Sequence, residues 1–347
     1  VDKRAPFTIG GETVAAGTRR TIDLPVSVLS DHTQVNLSVH VVHGRQPGPV
    51  IFVSAAVHGD EVIGVEIVRR LLRVESLNAM KGTLLAVPIV NAFGFMNHSR
   101  YLPDRRDLNR SFPGSAQGSL AGRLANLFYT EIVSRSSVGI DLHSAAIHRT
   151  NLPQMRISPG RPEALSLALS FGAPLVLASR IREGSMRQAG VDAGIDILLY
   201  EAGEGLRFDE LAIRIGVSGV LRVMHKLGMV SARGASKPKQ PAIFSRSSSW
   251  VRAPAGGLLR SFRTTGDQVE AGSLLGAIAD PFGEAETEVL APTRGLLIGR
   301  TNLPIVNEGD GLFHIASLNE KSDPAATIES IAAQLDADPL FDEDEII

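Results

Sequence analysis

The sequence predicts an α/β protein whose main body is a doubly wound, mixed and mainly parallel sheet, followed by a small all-β sandwich or barrel. Three observations predict it. Between residues 50 and 227, apolar runs of strand length alternate with amphipathic helical stretches, the pattern of βαβ units and hence of parallel pairing. Ahead of them lie two strand-like runs, one of which alternates apolar and polar residues as a half-buried antiparallel strand does. From Trp250 onward, short runs are separated by glycines and show no helical period, which is the habit of compact all-β modules.

At 347 residues the chain exceeds one average domain and can bury a sizeable core. Its charged residues, 21% of the total, nearly balance to a net charge of −2, so nothing favours a nucleic-acid or anionic-membrane partner. No apolar run reaches the roughly 18 residues of a membrane span. Val1 to Pro6 lack the apolar core of a signal peptide, and the expectation is a cytoplasmic protein. The absence of cysteine excludes disulfides, Fe–S clusters, thiolate zinc sites and a cysteine nucleophile together. Any metal must therefore sit on His, Asp or Glu.

In chain order, Thr21–Val26 and Val35–Val41 read as an antiparallel sheet edge. The apolar run 50–57 predicts a buried strand, followed by a helix from Asp60 to about Val74 with Val62, Val65, Val68, Leu71 and Leu72 on one face. Gly82–Val90 is again a buried strand. A helix fits Leu120–Arg135 with Ser119 as N-cap, and a strand at 138–142 ends at His143. Residues 163–171 read as helix, 174–178 as a short strand and 195–200 as a buried strand ending at Glu201. A long helix from about Arg207 to Leu227 closes this part. The expected division is a catalytic domain with its β edge at 1–230, a Ser-, Lys-, Pro- and Gly-rich linker at 231–249, a β module at 250–318 and an acidic tail at 319–347. That tail contains a short helical stretch and then six acids within Asp336–Glu345, read as solvated chain.

The chemistry begins at Val57-His58-Gly59-Asp60-Glu61, where a buried strand hands over to a helix. A histidine and a carboxylate three residues apart on such a turn can aim at one point. Ligands of open parallel sheets bind beyond the carboxyl ends of the strands, and His58, His143 and Glu201 all fall there. His58, Glu61 and His143 then make three protein ligands with one position left open, the pattern of catalytic rather than structural zinc. This leaves no need for Asp60 in the metal shell. Glu201 is placed to take a proton from water activated by the metal and pass it to a leaving amine, whereas Glu204 reads as a helix capper. The long connection Asn97–Gly114 is polar and carries Arg100, Arg105, Arg106 and Arg110, planar donors for a carboxylate or an oxyanion. Composition does not choose among them.

His-Gly-Asp-Glu at 58–61, Ser-Arg-Tyr at 99–101, Asp-Leu-Asn-Arg at 107–110, Asp-Leu-His at 141–143 and Tyr-Glu-Ala-Gly at 200–203, in this order, resemble the succinylglutamate desuccinylase/aspartoacylase family of the zinc carboxypeptidase superfamily. The resemblance covers roughly residues 45–228. It implies one zinc ion per chain on His58, Glu61 and His143, with Glu201 as general base and acid. Arg100 would polarise the scissile carbonyl and stabilise the oxyanion. Asn109 and Arg110 would hold the substrate carboxylate, and Asp107 would orient His58. Arg105 and Arg106 match no family role.

The C-terminal runs around Arg252–Gly257, Gly266–Gly272 and Ala291–Gly295 resemble a lipoyl/biotinyl-carrier-like sandwich. With no lysine between Lys239 and Lys321, a swinging-arm role is not expected. Such a module would instead shape the active-site rim or offer a homo-oligomer interface. The function expected is a zinc-dependent deacylase acting on a small N-acyl amino acid or related carboxylate-bearing amine. A carboxypeptidase-like peptidase and a non-catalytic binding protein on the same fold are the alternatives, and the acyl group itself is not legible.

Overall fold

The computed structural model describes residues 4–232, 235–318, 323–338 and 340. A short hairpin (β1, Phe7–Ile9; β2, Glu12–Val14) precedes two long antiparallel strands (β3, Thr18–Val28; β4, Gln34–His43). The alternating part comprises β5 (Gln46–Ala55), α1 (Ile63–Leu71), β6 (Lys81–Val87), α2 (Ala92–Met96), α3 (Leu120–Glu131), β7 (Val138–His143) and β8 (Arg149–Ile157). It continues with α4 (Pro162–Phe171), β9 (Leu175–Ala178), α5 (Met186–Asp192), β10 (Asp196–Gly203) and α6 (Glu210–Lys226). Strands β11 (Ile243–Ser245), β12 (Ser248–Arg252), β13 (Gly257–Ser261), β14 (Gln268–Val269) and β15 (Leu274–Ala279) follow. The last elements are β16 (Glu286–Leu290), β17 (Gly295–Thr301), β18 (Ile305–Val306), β19 (Gly311–Ser317) and α7 (Pro324–Asp336).

One large mixed sheet runs β12-β19-β17-β8-β10-β7-β5-β6-β4-β3. Its centre, β6, β5, β7 and β10, is parallel, while β4 and β3 add the antiparallel edge read from their alternation. Strand β5 shows why the run from Val50 is almost wholly apolar. Ile51, Val53 and Ala55 enter one core with Ile63 and Ile67 of α1 and Val220 and Leu221 of α6. Phe52 points the other way, into a core with Leu124 and Phe128 of α3. Phe52 and Phe128 meet edge to face with ring centroids 5.7 Å apart, and full burial of such a side chain contributes roughly 1.5–3 kcal/mol. Ser119 caps α3 as expected, its hydroxyl accepting from the Gly122 N–H.

The structure departs from the expected elements in several places, among them α6, which starts at Glu210 with Asp209 rather than Glu204 as its side-chain cap. Helix α1 starts at Ile63 rather than Asp60 and has no side-chain cap, because residues 58–62 form the turn that carries the site. Residues 149–157, for which no element was expected, form β8, antiparallel to β10. The stretch expected as a linker contains β11, which pairs in parallel with β9. From the expected tail, Pro324–Asp336 is a helix capped by Asp323 whose Ile331 and Leu335 enter the first core. Its apolar positions therefore dock rather than dissolve; residues 319–322, 339 and 341–347 lie outside the described residues.

The C-terminal part forms a four-stranded sheet, β16-β15-β13-β18, whose Leu259, Leu275, Ile278 and Val289 share a core with Leu297, Phe313 and Ile315 of β17 and β19. Through β17, which pairs with β8, this module is continuous with the large sheet. Among the described residues no helix is long and apolar enough to cross a membrane.

Candidate active site

Parallel registry brings the site together. Ala55 of β5 lies opposite Leu142 of β7, and His143 lies opposite Glu201 of β10, so the ends of three neighbouring strands present His58, His143 and Glu201 at one edge. The turn after β5 is tight. Ala56 adopts φ 49°, a left-handed conformation that costs an L-residue roughly 1–2 kcal/mol. Gly59 packs on backbone, since a Cβ there would lie 1.9 Å from the Gly94 carbonyl carbon.

His58, Glu61 and His143 are buried, and one ligand atom from each lies within 4.8 Å of the others. His58 Nδ1 is 2.7 Å from Glu61 Oε1, and His143 Nδ1 is 2.6 Å from Glu61 Oε2. The opposite ring nitrogens also meet carboxylates, His58 Nε2 with Asp107 at 3.1 Å and His143 Nε2 with Asp141 at 2.6 Å. Two imidazoles with their far nitrogens on carboxylates and their near nitrogens on a shared glutamate form the ligand-and-support pattern of metal centres. The cluster could hold a metal ion. Burial disfavours charge on both rings, yet Glu61 with Asp107, and Asp141 with Glu61, outweigh it and raise the pKa values of His58 and His143. Burial likewise opposes ionisation of Glu61, and the two histidines overcome it and hold its pKa down. Asp60 is buried beside them with Oδ1 unpaired and is not one of the three converging groups.

The loop expected to bind substrate lies against this cluster. Arg100 donates from Nη1 to Glu61 Oε1 at 3.2 Å and from Nε and Nη2 to Asp107. Asp107 therefore joins His58 to Arg100, and despite burial its pKa is held well below the carboxylate range by those two neighbours. Asn109 Oδ1 accepts from the N–H of Met186 at the start of α5, which leaves Nδ2 as the end that can meet a ligand. Arg110 lines the same cavity, whereas Arg105 and Arg106 are exposed and do not.

The cavity measures about 1010 Å³ and receives eight arginines against the carboxylates of Glu61, Asp141 and Glu201. Glu201 enters it from the end of β10, with Asn151 Nδ2 2.9 Å from Oε2 and Arg156 Nη1 3.2 Å from Oε1. Neither Asn151 nor Arg156 was singled out in the sequence. Asp141 was quoted only as part of the Asp-Leu-His motif and given no role, although a residue two before His143 on a strand must share its face. Arg187 is buried in the wall, where burial and then Arg156 lower its pKa to about 10. Arg246, Trp250 and His314 from the C-terminal part complete the rim.

The family model for the succinylglutamate desuccinylase/aspartoacylase catalytic domain matches residues 47–227. The chain is 27% identical over 289 residues to an N-alpha-acetyl-L-2,4-diaminobutyric acid deacetylase from Halomonas elongata, covering 80% of this chain and 84% of the relative. Two solved structures share the fold. A succinylglutamate desuccinylase/aspartoacylase from Rhodobacter sphaeroides superposes with a TM-score of 0.77 at 24% identity, over 87% of this chain and 96% of its own. The product-bound ectoine utilization protein EutE (DoeB) from Ruegeria pomeroyi gives 0.78 at 22%, over 87% and 95%. The matched span runs from β5 through α6 and takes in the three converging groups, the arginine loop and Glu201, so the chain belongs to the succinylglutamate desuccinylase/aspartoacylase family.

Proposed function

We propose that the chain is a zinc-dependent deacylase, with His58, Glu61 and His143 as the metal ligands and Glu201 as general base and acid. Its family makes it a hydrolase of the amide bond in small N-acylated amino acids. The observation that carries the finer reading is the convergence of the three buried groups in a cavity that Glu201 also enters. Two imidazoles and a carboxylate suit zinc, and His58, Glu61 and His143 would hold it. Bound there, zinc supplies a Lewis acid for the amide carbonyl and lowers the pKa of water to about 7.

The remaining work falls to the chain. Glu201 removes a proton from the attacking water and returns it to the leaving nitrogen as the C–N bond breaks. Arg100 donates to the carbonyl oxygen as negative charge develops on it. Asn109 and Arg110 hold the substrate carboxylate, and Asp107 and Asp141 fix the two imidazoles. The Halomonas relative is named for a substrate whose side chain ends in an amine. Eight arginines around this cavity favour an amino-acid portion that is acidic or neutral over one bearing a second cation.

Chelator-treated protein, before and after zinc is restored, should be tested on N-acetyl and N-succinyl amino acids and on short peptides. Turnover of N-acyl amino acids that vanishes with the metal and returns with zinc supports the reading. Chelator-insensitive activity, or turnover of peptides alone, contradicts it.

A further inference from the structure

We infer that the C-terminal β module positions the candidate base: Ile298 and Gly299 of β17 fix Gln154 and Asn151 of β8, so that Asn151 and Arg156 hold the two oxygens of Glu201. This rests on the assignment of Glu201 as the base.

Each Glu201 oxygen has its own partner, and both partners come from β8. In register, Asn151 sits between Gly203 of β10 and Gly299 of β17. The approach of β17 is close enough that a Cβ on Gly299 would lie 2.7 Å from Asn151 Oδ1. Gln154, fully buried, donates its amide to the Ile298 carbonyl at 3.1 Å and accepts from Arg156 Nε at 3.5 Å. A module that only roofed the cavity would not need contact with both groups that hold the base. Here its strand meets Asn151 directly and Arg156 through Gln154. Glu201 is thereby held by a strand that the module itself braces, and a displacement of about 1 Å in such a group can cost a hundredfold in rate.

Gly299→Ala is the sharpest probe, because the atom it crowds is the end of the Asn151 amide rather than backbone. The amide can turn aside while the strand stays. Full-chain, zinc-loaded Gly299→Ala, Asn151→Ala, Arg156→Lys and Arg156→Gln proteins should be measured for kcat, KM, metal content and thermal midpoint. Gly299→Ala, Asn151→Ala and Arg156→Gln are expected to lower kcat by about 10- to 100-fold with KM within about twofold of wild type and with metal retained. Arg156→Lys should recover part of the loss in Arg156→Gln. Should Gly299→Ala fail to fold, Asn151→Ala, which removes atoms without a clash, decides. Wild-type kcat in Asn151→Ala, or in a folded Gly299→Ala, overturns the inference, as does a raised KM with unchanged kcat in Arg156→Gln, which would make Arg156 a substrate-binding group. Glu201→Gln assayed alongside separates the two levels. Turnover in that variant removes the base itself, whereas an inactive Glu201→Gln beside fully active Asn151→Ala and Gly299→Ala removes only the positioning role.

Discussion

His143 Nε2 lies 2.6 Å from Asp141 Oδ2, two residues apart on β7 and on the same face of the strand. Asp141 is itself held, since Ser54 of β5 donates to its other oxygen at 2.8 Å. Such a partner fixes the ring and raises its strength as a ligand, and its loss typically weakens metal binding 10- to 100-fold. Asp141→Ala should lower zinc affinity by about that factor in competition with a chelator. Wild-type affinity in that variant would contradict the supporting role.

Asp60 offers the opposite test. It is adjacent to Glu61 and buried, yet the three converging groups do not include it. Asp60→Asn keeps the shape and removes the charge. Metal analysis should find one zinc per chain in the variant, and loss of the metal would make Asp60 a ligand.

Substrate charge should matter at Arg110. A hydrogen bond to a charged group contributes roughly 1.5–3 kcal/mol, so Arg110→Ala should raise KM about tenfold to a hundredfold, with kcat less affected. The wild-type enzyme should also prefer N-acyl amino acids with acidic or neutral side chains to those with basic ones. Preference for a basic side chain in steady-state assays would show that the arginine-rich wall does not face that group.

His314 gives the protein a pH-dependent term. It is stacked on Trp250 with ring centroids 4.7 Å apart, and burial followed by Arg156 lowers its pKa to about 3 from 6.5. Between those values the unfolded chain binds the proton and the folded one does not. The stability owed to neutral His314 is therefore complete above about pH 6.5 and declines as pH falls towards 3, by at most about 1.4 kcal/mol per unit. His314→Phe keeps a ring against Trp250 and removes the titration. Its thermal midpoint should fall less than that of wild type between about pH 7 and about pH 4, and an unchanged slope would refute the assignment.

The parallel core and the three converging groups were legible because β5, β7 and β10 carry long apolar runs and have His58, His143 and Glu201 at or just past their carboxyl ends. What escaped the sequence was β8, for a physical reason. Leu152 and Pro153 together span the place of one residue of β10, Ala202, a bulge that accommodates a proline and shifts the two-residue alternation. Asn151 and Arg156 thus reach the same carboxylate despite odd spacing, and no regular period reveals them. The short helical stretch of the tail was legible as a helix, but the acids that follow it obscured the docking of Ile331 and Leu335 of α7 into the core. The β11 strand has only three residues, too few to show a period amid Ser, Lys and Pro. Arg156, Arg187 and Arg246 come from separate elements, and only the folded sheet makes them one wall.

The proposed chemistry turns on Glu201, which performs the proton transfers beside a metal held by three other residues. Zinc content and turnover measured on the same preparation of Glu201→Gln test it most directly. One zinc per chain, wild-type folding and a loss of at least about a hundredfold in kcat are expected, whereas near-normal turnover with zinc bound would remove Glu201 as the base.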